Sequence, residues 1–122
     1  MANAATSLEK LLPLTPRVFH ILLALVDGPE HGYQIMKEVE ERSGGKVRIG
    51  PGTLYEAIQR LVKNGVIEES VERPETDLDD QRRRYYQLTD LGQGALEAEA
   101  DRLADLVGFA RRKNLVSKER AS

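Results

Sequence analysis

The sequence predicts a mainly α domain that carries one small β-hairpin and ends in a long helix. Three observations lead there. Apolar residues recur at helical spacing between residues 16 and 63 and again between 96 and 110. Residues 66–73 and 83–88 switch to short runs rich in β-branched or aromatic side chains around a polar loop. Proline and glycine mark the boundaries, at Pro13, Pro16, Gly28-Pro29, Gly44-Gly45, Gly50-Pro51-Gly52 and Asn64-Gly65.

In chain order, Leu8, Leu11 and Leu12 form a short amphipathic turn ended by Pro13. Thr15 before Pro16 reads as an N-cap followed by proline at the first helical position. The helix after it is expected to run to about Asp27. It is apolar on most sides, which predicts burial nearly all round. A second helix begins near His31, with Ile35, Met36 and Val39 as a narrower buried stripe, and stops at Gly44-Gly45. The third, "GPGTLYEAIQRLVKNG" at 50–65, sets Leu54, Ile58, Leu61 and Val62 on one face. Opposite them lie Thr53, Glu56, Gln59, Arg60 and Lys63, with Tyr55 at the margin.

"VIEESVER" and "RRYYQL" then read as the strands of a hairpin. Strict alternation sends Tyr86 and Leu88 to the core, and Tyr85 and Arg83 the other way. The last helix starts at Thr89 or Asp90 and reaches about Lys113. Its residues Leu96, Ala100, Leu103, Val107 and Ala110 are spaced as a heptad seam, widened by Leu106 and Phe109. At 1.5 Å per residue this helix spans ~35 Å, longer than so small a domain covers. These seven residues are therefore the expected interface with a second copy of the chain. Packing on the chain's own first long helix is the alternative.

The 122 residues suit one domain. Boundaries are expected at 1–14 for an N-terminal arm or short helix, 15–88 for the three-helix and hairpin unit, 89–113 for the dimerisation helix and 114–122 for a basic tail. With no cysteine, disulfides, thiolate metal ligands and a cysteine nucleophile are excluded. The longest apolar run, 18–26, is too short to span a bilayer. The first residues lack the basic-then-apolar order of a secretory signal, so a cytoplasmic location and no membrane partner are expected.

Enzyme chemistry finds no foothold. His20 and His31 are the only histidines, one mid-helix and one a cap or turn residue, a poor pair for zinc without cysteine. "DLDD" at 77–80 lacks the alternating ligands, the glycine and the closing glutamate of a calcium loop. The glycines of 44–52 match neither phosphate-loop pattern, and no serine sits in a nucleophile elbow. No cofactor, no metal and no catalysis are expected.

Binding remains. The formal net charge is −2, but charge is segregated: 111–120 holds five basic groups against one acid, and Arg82, Arg83 and Arg84 are consecutive. A helix, a link, a helix and then a hairpin is the order of a winged helix-turn-helix. In that arrangement the second helix of the pair enters the major groove, which is just wide enough for it. Thr53, Gln59, Arg60 and Lys63 offer groups for base edges and phosphates. The free N–H groups behind Pro51-Gly52 suit a phosphate. The arginines at the base of the wing would lie beside backbone phosphate.

The stretches "LTPRVFHILLALVDGPEHGYQIMKEVEERSGG", "GPGTLYEAIQRLVKNGVIEE" and "RRRYYQLTDLGQGAL" in this order resemble the PadR-like family of transcriptional regulators over about residues 15–112. The resemblance implies a homodimeric winged-helix repressor of the short-tailed branch, with one C-terminal helix. Its partners would be double-stranded DNA carrying an inverted repeat and a small-molecule effector that releases it. The family's DNA-contacting pattern falls on Tyr33, Lys37, Thr53, Tyr55, Lys63, Arg83 and Arg84. Two departures matter. The wing tip "PETDLDD" is acidic, which places wing contacts at the arginines. The chain has no tryptophan, which removes the mode in which relatives sandwich flat drugs between tryptophans. A winged helix that docks another protein, without DNA, is the competing expectation.

Overall fold

The computed structural model describes residues 4–71 and 83–117. Its elements are α1 (Ala4–Leu11), α2 (Pro16–Leu23), β1 (Glu30–His31), α3 (Gly32–Arg42), α4 (Pro51–Lys63), β2 (Ile67–Ser70), β3 (Tyr85–Leu88) and α5 (Asp90–Arg112). The acidic segment 75–80, Arg82 and the last residues of the basic tail lie outside the described residues.

Local chemistry explains most boundaries. Thr15 accepts the Val18 N–H and Thr89 accepts the Gly92 N–H, each with its side-chain oxygen, capping α2 and α5. His31 caps α3 with ring Nδ1, which accepts the Gln34 N–H at 3.3 Å. Gly50 precedes α4 with no side-chain cap, leaving the first N–H groups of that helix uncovered by its own chain. At the other end of α4, Gly65 takes φ 75°. That left-handed turn lets the Val66 N–H reach back to the Leu61 carbonyl at 2.9 Å.

α2 is shorter than its apolar run. The Ala24 N–H is shared between the carbonyls of His20 and Ile21, and Leu25 and Val26 then bond three residues back. The chain thus tightens into turns before Gly28. Nor is α2 buried all round. Ile21 and Leu22 are wholly buried, but Phe19 is half-buried and Val26 is exposed, because a single chain leaves that side uncovered.

The hairpin gains a third strand. β1 pairs antiparallel with β3, giving the order β1-β3-β2. Glu30 lies opposite Tyr86 and His31 opposite Tyr85. On the other side of β3, Ile67, Glu68, Glu69 and Ser70 lie opposite Leu88, Gln87, Tyr86 and Tyr85. This corrects the alternation argument for Tyr85, which is buried. Its ring meets the His31 ring edge-on at 5.3 Å. β1 supplies the cover that a two-stranded hairpin lacks.

The core joins Ile21, Leu22, Ile35, Val39, Leu54, Ile58, Val66 and Ile67. Leu54, Ile58 and Leu61 seat α4 on it as their spacing predicts, whereas Val62 sits at the edge, 42% exposed. α5 is anchored only in its first half. Ala95, Leu96 and Glu99 are buried, and no residue from 100 to 112 is. Glu99 accepts the backbone N–H of Leu14 and is clamped by Arg102, whose Nε donates to Oε1 at 2.9 Å and whose Nη2 donates to Oε2. Arg102 holds the Glu99 carboxyl below its ordinary range, against the upward push of burial. Another arginine ties α3 to α2: Arg42 Nη1 donates to the His20 carbonyl at 3.2 Å and stands 3.3 Å from His20 Nδ1. Burial and then the Arg42 charge lower the His20 pKa.

Candidate nucleic-acid interface

α3 and α4 pack as the two helices of a helix-turn-helix, and the sheet stands beside them. Where the start of α3, the flank of α4 and β3 converge lies an open groove of about 530 Å³. Tyr33, Tyr55, Gln59, Arg83 and Arg84 all line it. The sequence placed these five on three separate elements, and the fold assembles them on one surface.

Close contacts set the geometry. A Cβ at position 32 would stand 2.6 Å from Tyr55 Oη, so glycine there lets the Tyr55 ring cross the start of α3. Tyr55 keeps its other side open and is 45% exposed; Tyr33 is 60% exposed. The Tyr33 ring lies nearly parallel to His31, with centroids 6.5 Å apart and planes at 17°. Behind them His31 is buried, and its Nε2 stands 3.3 Å from Arg83 Nη1. With the Gln34 N–H facing Nδ1, both ring nitrogens face donors, so a neutral ring satisfies one fully at a time. Arg84 is exposed and hydrogen-bonds the Tyr86 phenol. Burial and the nearby Glu69 raise the Tyr86 pKa against the opposing influence of Arg84, so Tyr86 stays a neutral hydroxyl at physiological pH.

The other expected contacts sit around this groove. Lys37 lines an adjoining groove that also reaches Tyr33, Arg48 and Gly50. Thr53 and Lys63 are exposed near opposite ends of α4. Arg60 turns to the far flank, where it shares a hollow with Lys10, Thr15 and Asn64. Two contributors escaped the sequence reading. Gly32 admits Tyr55, and His31 spans from α3 to Arg83. The HGY run signals a cap but not these tertiary roles, which depend on β1.

The expected interface residues on α5 divide. Leu96 is 4% exposed and belongs to the chain's own core, which corrects its assignment to a partner surface. Leu103 and Ala110 are half-buried, while Ala100, Leu106, Val107 and Phe109 are exposed. Phe19 of α2 joins Ala100, Leu103 and Val107 in one shallow apolar hollow. Arg112 lies over the Phe109 ring, 4.7 Å from its centroid.

Among the described residues no group of three or more His, Cys, Asp or Glu side chains is arranged to hold a metal ion, and no helix is long and apolar enough to cross a membrane.

Residues 21–98 match the family model of the transcriptional regulator PadR-like family. An uncharacterised 37.1 kDa protein of transposon TN4556 from Streptomyces fradiae is 40% identical over 88 residues, covering 72% of this chain; the chain spans 23% of that relative's length. A PadR family transcription regulator from Clostridium difficile is similar in structure, with a TM-score of 0.64 and 25% identity, covering 78% of this chain and 94% of that one. The Bacillus subtilis PadR solved in complex with operator DNA gives a TM-score of 0.57 and 26% identity, covering 70% of this chain and 47% of that one.

Proposed function

The chain belongs to the PadR-like family of transcriptional regulators, and from that premise we propose that it is a sequence-specific, homodimeric DNA-binding repressor released by a small-molecule effector. One observation carries the DNA-binding part. Tyr33, Tyr55, Gln59, Arg83 and Arg84, drawn from α3, α4 and the base of the wing, line a single groove. Hydroxyl, amide and guanidinium groups there suit both base edges and phosphates. The uncapped start of α4 adds N–H donors for a phosphate beside Thr53. Lys37 and Lys63 extend the cationic surface beyond the groove. Arg60, on the far flank, fits an outer phosphate contact. Bacillus subtilis PadR, a structural relative, was solved with operator DNA.

The second half of α5 supports dimerisation. It exposes Leu106, Val107 and Phe109, with Leu103 and Ala110 half-buried beside them, and Phe19 continues the apolar surface. A second copy related by a two-fold axis covers this face and sets two reading heads on an inverted repeat, about one helical turn or ~34 Å apart or a multiple of it. Effector release rests on the family resemblance.

The test is fluorescence anisotropy with a labelled duplex from upstream of the protein's own gene, titrated between 50 and 300 mM salt. Binding that weakens steeply with salt is expected, because phosphate contacts release counterions. Salt-insensitive or absent binding overturns the proposal and favours docking of another protein on the same face.

A further inference from the structure

On the outward face of α4 a carboxylate lies almost opposite the core, as Lys63 does about two turns further on. At 100° per residue, Glu56 lies roughly 190° around the helix from the mean direction of Leu54, Ile58 and Leu61. Those three are buried and Glu56 is exposed. Gln59, Arg60, Lys63 and Thr53 are exposed to either side of it. Glu56 makes no ion pair or hydrogen bond among the described residues, although Arg60 stands one turn further on. The helix expected to meet a polyanion therefore aims an unpaired negative charge outward from its centre.

Such a charge is costly on this face unless the nucleic acid meets it with a donor. Phosphate oxygens, guanine O6 and N7, and thymine O4 are all acceptors and repel it. In the major groove the exocyclic amino group of cytosine is a donor without an acceptor on the same base beside it, while the adenine amino group lies next to the N7 acceptor. We propose that Glu56 is a specificity-determining residue that reads cytosine, accepting a hydrogen bond from the cytosine N4 amino group at one position of each half-site. This assignment rests on the DNA-binding reading above and adds to it the identity of one base pair. The carboxylate selects as much by exclusion as by attraction, since guanine or thymine leaves it facing an acceptor and adenine sets the N7 acceptor beside its amino group.

The experiment starts from a duplex selected by the full chain from random DNA. Anisotropy then measures affinity for that duplex and for each single base-pair replacement, for the wild type, Glu56→Ala and Glu56→Gln. Wild type is expected to lose about tenfold in affinity when one particular C·G pair in a half-site becomes any other pair. Glu56→Ala should flatten the preference at that pair alone, and bind duplexes replaced there about as well as the original. Glu56→Gln should shift the preference towards adenine, which a glutamine amide matches through N6 and N7. An unchanged base preference at every position in Glu56→Ala, with salt-dependent binding intact, overturns the assignment while leaving the DNA-binding reading standing. No salt-dependent binding of any duplex by the wild type overturns both. Glu56 is fully outside the core, so matching circular dichroism spectra of the three proteins confirm that only the reading face has changed.

Discussion

Replacing Gly92 by alanine should unhinge α5 from the sheet. Gly92 lies in the first turn of α5, and a Cβ built there would stand 2.0 Å from the Val66 carbonyl oxygen, 3.0 Å from its carbon and 3.3 Å from Leu88 Cδ2. An ordinary carbon–oxygen contact is about 3.3 Å, so the helix start and the start of β2 must part by about 1.3 Å. The obstacle is backbone, so no side chain can yield. Two donors cross the same gap: the Thr89 N–H, to Val66 O at 3.1 Å, and the Thr89 hydroxyl, whose single proton is shared between Val66 O at 3.0 Å and Gly65 O. At about 1 kcal/mol each, their loss costs about 2 kcal/mol. Residual overpacking adds about 1–2 kcal/mol, and the helix preference for alanine over glycine returns about 1 kcal/mol. The net destabilisation is about 2–3 kcal/mol, or roughly 8–12 °C in Tm for a chain of this size. Thermal and urea unfolding followed by circular dichroism measure it. Gly94→Ala is the control, since its Cβ would meet only Leu8 Cδ1 at an ordinary 3.5 Å, and it should match or exceed wild-type stability by up to about 1 kcal/mol. If Gly92→Ala proves as stable as Gly94→Ala, the steric reasoning is wrong.

Other perturbations separate stability from binding. Gly32→Ala would push against the far end of the Tyr55 side chain, which swings outward cheaply; Tm should move by no more than about 1 kcal/mol equivalent, while DNA affinity falls, and equal affinity would remove Tyr55 placement from the site. Acid should weaken the fold through Glu99. Its folded pKa is depressed, so the stabilisation is complete above its ordinary value of 4.5 and fades as pH falls through the folded value. Urea midpoints from pH 7 to pH 3 should drop more steeply for wild type than for Glu99→Gln, and parallel profiles would contradict the Arg102 clamp. Val107→Glu and Phe109→Glu, on the exposed half of α5, should leave monomer folding within about 0.5 kcal/mol but lower the sedimentation mass from two chains to one; an unchanged mass would move the interface elsewhere.

The helical part of the fold was legible because its signals are local. Pro16, Gly28-Pro29, Gly44-Gly45 and Gly65 punctuate the chain within one turn of the observed ends of α2, α3 and α4, or in the turns directly after them. β1 was not legible, since two residues carry no periodicity. Its absence from the sequence reading misplaced Tyr85, whose burial depends on His31 fifty-odd residues earlier in the chain. The heptad seam showed a similar limit. Its spacing marks Leu96 and Val107 alike, but only tertiary packing shows that Leu96 faces its own core and Val107 does not. In the groove, residue type and helical face pointed to Tyr33, Tyr55, Gln59, Arg83 and Arg84 individually. Their convergence needed the three-dimensional crossing at Gly32. The flank that Arg60 occupies was not legible, because a helical wheel shows which residues face outward, not which flank a neighbouring helix adjoins.

Val66 gives the molecule a fulcrum. Its N–H closes the end of α4 and its carbonyl receives Thr89 at the start of α5, so one peptide segment couples the two helices. From that point α5 extends ~35 Å. A tilt of about 5° about the fulcrum sweeps its far end through about 3 Å, close to the ~3.4 Å rise between successive bases of a strand. With the far end held by a partner, the same tilt is delivered instead to α4, as a register error of about one base step. In the proposed dimer on DNA, the long helix is thus a lever arm whose stiffness sets how finely α4 stays in step with the groove.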